Sequence, residues 1–200
     1  MAVAANFLAT AETLSAAFSG ATGHELTLAH GSTGRLYAQI VAGAPFDVFL
    51  SADAARPARL AAEGRADAPR TYALGRLVLV VPPGFGTELA GWRVALADPE
   101  VAPYGAAAMQ ALSAMGADTG TFKLLLADSV AQAASIFATG NADGAFIAAA
   151  LLPDLPRMAD AVPMEGRHHP IRQDAVILAR GRGNPAAQAF FAFLASTEGR

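Results

Sequence analysis

Apolar positions along the chain switch repeatedly between two spacings. After "VAAN", Phe7, Ala11, Leu14 and Phe18 recur at helical intervals, and Gly20 and Gly23 punctuate the end of the run. "HELTLAH" alternates as a strand does, and Leu36, Ile40 and Val41 then mark a second helix. "FDVFLSAD" reads as a buried strand, with a helix from Ala52 to Gly64 behind it. "GRLVLVVPPG" is the longest strand signal and is stopped by Pro82 and Pro83. "WRVALADPE" repeats the strand pattern, and "APYG" precedes a helix carrying Met109, Leu112 and Met115 on one side. "FKLLLADS" predicts another strand, followed by a helix on Val130, Ala134 and Phe137. "GAFIAAALL" reads as a strand running into a short helix, and "QDAVILAR" as a late strand. Asn184 is placed to cap a terminal helix with Pro185 in its first turn and Phe190, Phe193 and Leu194 facing inward. Strands alternating with helices predict an α/β architecture with mostly parallel strands.

Composition narrows the class. A hydrophobic share of 54% over 200 residues supports one core or two small lobes, and a charged share of 16% argues against disorder. The net charge is −3 and the 14 Lys and Arg are scattered, so no basic patch points to nucleic acid or anionic lipid. There is no cysteine, which removes disulfides, thiolate catalysis and zinc–sulfur sites. No apolar run approaches the ~20 residues of a membrane helix. The start, "MAVAANFLAT", lacks the basic region and long apolar stretch of a secretory signal, so it reads as a mature or an intracellular protein.

The candidate chemistry lies in the turns. Four places share a strand end, a small or hydroxyl-bearing turn and a helix start: Ala5-Asn6, Ser32-Thr33, Pro103-Tyr104-Gly105 and Ser129-Val130. The first N–H groups of a helix lack intrahelical partners, and the peptide dipoles add partial positive charge there. Such ends bind anions without Lys or Arg. The hydroxyls of Ser32, Thr33 and Tyr104 and the amide of Asn6 add neutral donors. The plainer role of each such residue is an N-cap, and Gly34 and Gly105 serve equally well as turn formers.

"VAANFLATAETLSAAFSGATGHELTL", "GSTGRLYAQIVAGAPFDVFLSAD", "YALGRLVLV", "DPEVAPYGAAAMQAL", "DSVAQAASIFATGNADGAFIA" and "QDAVILA", in that order, resemble the periplasmic molybdate-binding proteins of ABC transporters. The resemblance spans nearly the whole chain. It implies a type II periplasmic binding protein fold: two α/β lobes joined by two crossing strands, with a ligand cleft between. The strands near residues 78 and 175 are the candidate crossings, giving lobe 1 as 1–77 plus 176–200 and lobe 2 as 78–175. The implied ligand is molybdate or tungstate. Its implied contacts are Ala5 and Asn6 in the first turn, Ser32 and Thr33 in the second, Tyr104 of "APYG", and the backbone N–H of Val130. Asn6, Thr33, Tyr104 and Val130 touch the oxyanion in that reading and no residue ligates the metal directly. Relatives with a hydroxyl at the Ala5 position have one more donor, and those with "GSSG" have serine where Thr33 stands. Phe146 occupies the block in which other members carry a tyrosine ligand, which assigns this chain to the "APYG" subgroup.

Molybdate and tungstate are tetrahedral dianions without a proton near neutral pH, so a pocket of donors alone suits them. Phosphate usually keeps a proton there and would leave a mismatched polar contact, at a cost of ~1–3 kcal/mol. Sulfate has the same charge and must be excluded by its smaller size. The resemblance implies a non-enzymatic, monomeric, periplasmic protein with no cofactor that delivers its anion to the membrane subunits of an ABC permease. The alternatives are a binder of another oxyanion such as sulfate, a cytoplasmic anion-sensing module, or a hydrolase using Ser32 with His30 nearby. "GSTG" is not the G-x-S-x-G elbow, and no G-x-G-x-x-G fingerprint or Walker lysine is present. His168 and His169 read as a surface loop, Asp47, Asp53, Asp98 and Asp128 as turn caps, and Trp92 as packing.

Overall fold

A short apolar strand, β1 (Ala2–Ala4), passes through a 3₁₀ turn at Ala5–Phe7 into α1 (Leu8–Thr22). β2 (Ala29–Gly31), α2 (Thr33–Val41), β3 (Val48–Leu50), α3 (Ala55–Ala62) and β4 (Arg70–Gly75) follow. The middle of the chain forms β5 (Leu77–Val81), β6 (Arg93–Ala97), α4 (Pro103–Ala114), β7 (Lys123–Ala127), α5 (Val130–Ala138), β8 (Gly144–Ala148) and β9 (Asp160–Pro163). β10 (Ile171–Ile177) and α6 (Pro185–Phe193) come last. This computed structural model describes residues 1–155 and 158–196. It divides into two units, one of Met1–Leu74 with the chain from Arg172 onward, the other Gly75–Ile171. The end of the lobe 1 assignment, 197–200, lies outside the described residues.

The first unit is built on a five-stranded sheet in the order β2-β1-β3-β10-β4. β1 pairs in parallel with β2 and β3, while β10 runs antiparallel to β3. Both faces are covered, and the alternation of side chains along a strand sorts residues between them. Val3, Val48, Leu50, Ala175 and Ile177 face a core with Phe18 of α1 and Phe190 and Phe193 of α6. Ala2, Phe49 and Val176 face the opposite core with Leu36 and Ile40 of α2 and Leu60 of α3. Phe18 stands edge-on to Phe190 at 5.4 Å and to Phe193 at 5.5 Å, a geometry worth ~0.5–1.5 kcal/mol per pair beyond burial. α1 ends where Gly23 takes φ 73°, a left-handed cap that L-residues with a Cβ resist.

The second unit has its own five-stranded sheet in the order β7-β6-β8-β5-β9. β6 pairs in parallel with β7 and β8, and β5 is antiparallel to both β8 and β9. Every residue of β5 and β8 is buried, which is why both read as unbroken apolar runs. α4 and α5 pack on β6 and β8.

Several expectations change. The sheets are mixed, not mostly parallel: each carries antiparallel partners beside its parallel ones. "HELTLAH" is strand only from Ala29, because 24–28 has no sheet partner. The long apolar run gives a five-residue strand, shorter than the seven residues of β10 and the six of β4. β4 and β9 escaped the periodicity reading, since their burial patterns are mostly exposed and intermediate. Val41 is exposed, and the buried side of α4 is built from Tyr104, Ala107, Ala108, Ala111 and Leu112 rather than from Met109 and Met115.

Candidate functional site

Strand register decides what stands together in the first unit. β1 and β2 pair Ala4 with Gly31, so the turns that follow, Ala5-Asn6 and Ser32-Thr33, leave the sheet side by side. β3 pairs Leu50 with Val3 and therefore delivers Ser51 and Ala52 to the same edge. The carboxyl ends of parallel strands are where open α/β sheets place ligands. β10 runs the other way and pairs Ala175 with Leu50, which brings Asp174 and Gln173 to this edge as well. Asn6, Ser32, Thr33, Ser51, Gln173 and Asp174 are the buried polar residues among those described, and all belong to this cluster.

Its hydrogen bonds leave one hydroxyl over. Thr33 Oγ1 accepts from the Ala52 N–H at 3.0 Å, and Asn6 Nδ2 donates to Gln173 Oε1 at 3.0 Å. Tyr72 Oη lies 3.1 Å from both Gln173 Oε1 and the Ser51 carbonyl, two acceptors for its one proton. Ser51 Oγ donates to Asp53 Oδ1 at 3.2 Å, and Asp53 also pairs with Arg56. Asp174 accepts from Thr71 Oγ1 at 2.8 Å and from Arg172 at 3.1 Å. Both nearby carboxylates are thus engaged by donors. Ser32 Oγ alone in this group is buried with no hydrogen-bond partner. Ser32 is the N-cap of α2, yet its side chain makes no capping bond. A buried hydroxyl without a partner forfeits ~1–3 kcal/mol, so the fold retains it against a stability cost. The α2 N-terminus brings first-turn N–H groups, which have no carbonyl of their own helix to donate to, and the positive end of a dipole to the same place.

Tyr104 and Val130 belong to the second unit. β6 and β7 pair Ala97 with Ala127, so the chain leaves both strands at one edge and enters α4 and α5 there. Tyr104 occupies the first turn of α4 with 3% exposure, and Val130 is the first residue of α5 with 4%. Here the plain reading of the turn residues holds in part: Ser129 caps α5 by accepting from the Gln132 N–H. Gly105 is not a turn former. It lies inside α4, where a Cβ would stand 2.1 Å from the Ala97 carbonyl oxygen, so glycine lets the helix close onto the end of β6.

The remaining candidates disperse. Asp47 pairs with Arg180, and Asp98 accepts from the Glu100 N–H. Among the described residues no three His, Cys, Asp or Glu side chains gather in a way that could hold a metal ion. His168 Nδ1 lies 2.7 Å from the His169 carbonyl, and His169 donates its N–H to Gln110. Trp92 packs against Phe85 at 5.6 Å. His30 is exposed on β2 and forms no bond with Ser32 Oγ, so the nucleophile–base contact of a serine hydrolase is not made. Gln173, Tyr72, Ser51 and Asp174 were missed as site residues. Gln173 and Asp174 leave one signal, a polar "QD" directly before the apolar run "AVIL"; Tyr72 and Ser51 leave none.

A family model of bacterial extracellular solute-binding proteins matches residues 1–200. The chain belongs to the bacterial extracellular solute-binding proteins. Within that family it is 41% identical to molybdate-binding protein ModA of Rhodobacter capsulatus, over 98% of this chain and 82% of the relative. It is 42% identical to molybdate-binding protein ModA of Azotobacter vinelandii, over 97% and 82%. The solved periplasmic molybdate-binding protein of Azotobacter vinelandii superimposes with a TM-score of 0.89 at 36% identity, covering 98% of this chain and 91% of that one. The solute-binding fold, two α/β units with mixed sheets, is therefore shared with these relatives. Among the described residues no helix is long and apolar enough to cross a membrane.

Proposed function

We propose that this protein captures molybdate or tungstate in the periplasm and delivers the anion to the membrane subunits of an ABC permease. It acts as a monomer, needs no resident cofactor and does no chemistry on its cargo. The observation that carries the reading is the buried, partnerless hydroxyl of Ser32, set beside Thr33 and Asn6 at the carboxyl edge of a parallel strand group. A fully deprotonated oxyanion offers that hydroxyl the acceptor it lacks. The likeness to molybdate-binding proteins supplies the identity of the anion. Proposed donors are the Asn6 amide, the Ser32 and Thr33 hydroxyls and the Ala5 N–H of the first unit, and the Tyr104 hydroxyl and the Val130 N–H of the second. All are neutral, so charge is balanced by dipoles and N–H groups rather than by Lys or Arg.

Calorimetric titration with molybdate, tungstate, sulfate and phosphate tests the proposal. Saturable one-to-one heat is expected from the first two and little from the others. Sulfate binding as tight as molybdate would move the protein to the other-oxyanion reading. No heat from any of the four would remove the oxyanion reading altogether.

A further inference from the structure

We infer that Gln173 is a positioning residue that holds the Asn6 amide in place; the inference rests on the molybdate-binding reading above. Gln173 is 2% exposed and Asn6 is 5% exposed, so neither amide is turned toward bulk water. Gln173 Oε1 accepts from Asn6 Nδ2 at 3.0 Å and lies 3.1 Å from the hydroxyl of Tyr72. The Tyr72 hydroxyl also reaches the Ser51 carbonyl at 3.1 Å, so Gln173 sits between Asn6 and an anchor on β4. Asn6 spends one amide N–H on Gln173 and keeps a second for a further acceptor.

An asparagine amide has nearly the same shape either way round, so packing alone does not choose. A hydrogen bond restrains the amide where packing does not, and Gln173 makes that bond. Tyr72 backs it from β4, held against Phe7 with ring centroids 4.9 Å apart. Asn6 thus owes its position to β4 and β10, two strands far from it in sequence.

The test is a double-mutant cycle read by molybdate titration of the full chain: unaltered protein, Asn6→Ala, Gln173→Met and both together. Gln173→Met is expected to weaken binding about tenfold, the scale of one hydrogen bond to a charged acceptor. In the Asn6→Ala background the same change is expected to have little further effect, because the residue through which it acts is gone. Equal weakening in both backgrounds would mean that Gln173 acts as general packing, and unchanged affinity in Gln173→Met would equally overturn the inference. An unaltered protein that does not bind molybdate would sink the functional reading instead, so the two failures are distinct. If Gln173→Met does not fold, the side-chain amide protons of Asn6 in the unaltered protein decide by NMR. They are expected to be resolved and protected from exchange before molybdate is added. Freely exchanging, averaged protons would overturn the inference.

Discussion

Ser32 and Thr33 are adjacent hydroxyl residues with opposite accounts. The Thr33 hydroxyl accepts from a buried N–H, whereas the Ser32 hydroxyl has no partner. Thr33→Val should therefore destabilise the protein by ~1–3 kcal/mol in denaturant unfolding, the cost of leaving the Ala52 N–H unpaired. Ser32→Ala should leave stability unchanged or raise it slightly, while weakening molybdate binding by ~1.5–3 kcal/mol if the hydroxyl donates to the charged ligand. A large loss of stability in Ser32→Ala, with affinity intact, would show the hydroxyl to be structural. Tyr104→Phe should weaken molybdate binding by ~1 kcal/mol or more, and an unchanged affinity would remove Tyr104 from the donor set. At this scale the sequence was half legible. Hydroxyls before helices were visible in "GSTG" and "APYG", but nothing in the string separates Ser129, which caps its helix, from Ser32, which does not. That difference arises from which carbonyls and N–H groups distant strands bring near. Gln173 shows the same limit, since its partner Asn6 stands 167 residues away.

Elements were easier to read, where burial is two-sided or helical. α5 follows the predicted face of Val130, Ala134 and Phe137, all buried, and Asn184 caps α6 by accepting from the Ala186 N–H. β4 and β9 were illegible because strands with a mostly exposed pattern carry no apolar period. Parallel against antiparallel pairing was also beyond local pattern, because a fully buried strand such as β5 has the same composition in either direction. Gly105 carries the prediction at this scale. A Cβ there collides with the Ala97 carbonyl, so Gly105→Ala must push α4 off the end of β6. Overpacking of this kind costs ~1–3 kcal/mol, and a melting temperature equal to that of the unaltered protein would contradict the close approach. Because α4 carries Tyr104 in its first turn, the same variant should also weaken molybdate binding.

Across the whole molecule, the sequence pattern pointed to α/β architecture, and the quoted blocks pointed to the family that the full-length match supports. Neutral donors carry a consequence for pH. The proposed set contains no side chain that ordinarily titrates between about pH 6 and pH 8, so molybdate affinity should be flat across that range. A steep fall toward either end would implicate an ionising side chain instead. Ligand capture should also stabilise the fold, by ~2.7 kcal/mol at about a hundredfold excess over Kd. The central claim is that a cluster of uncharged donors selects this dianion. Its most direct test is titration of the protein with molybdate in the presence of a large excess of sulfate. Saturable one-to-one binding with little loss of affinity is predicted; heat abolished by the sulfate would contradict the account.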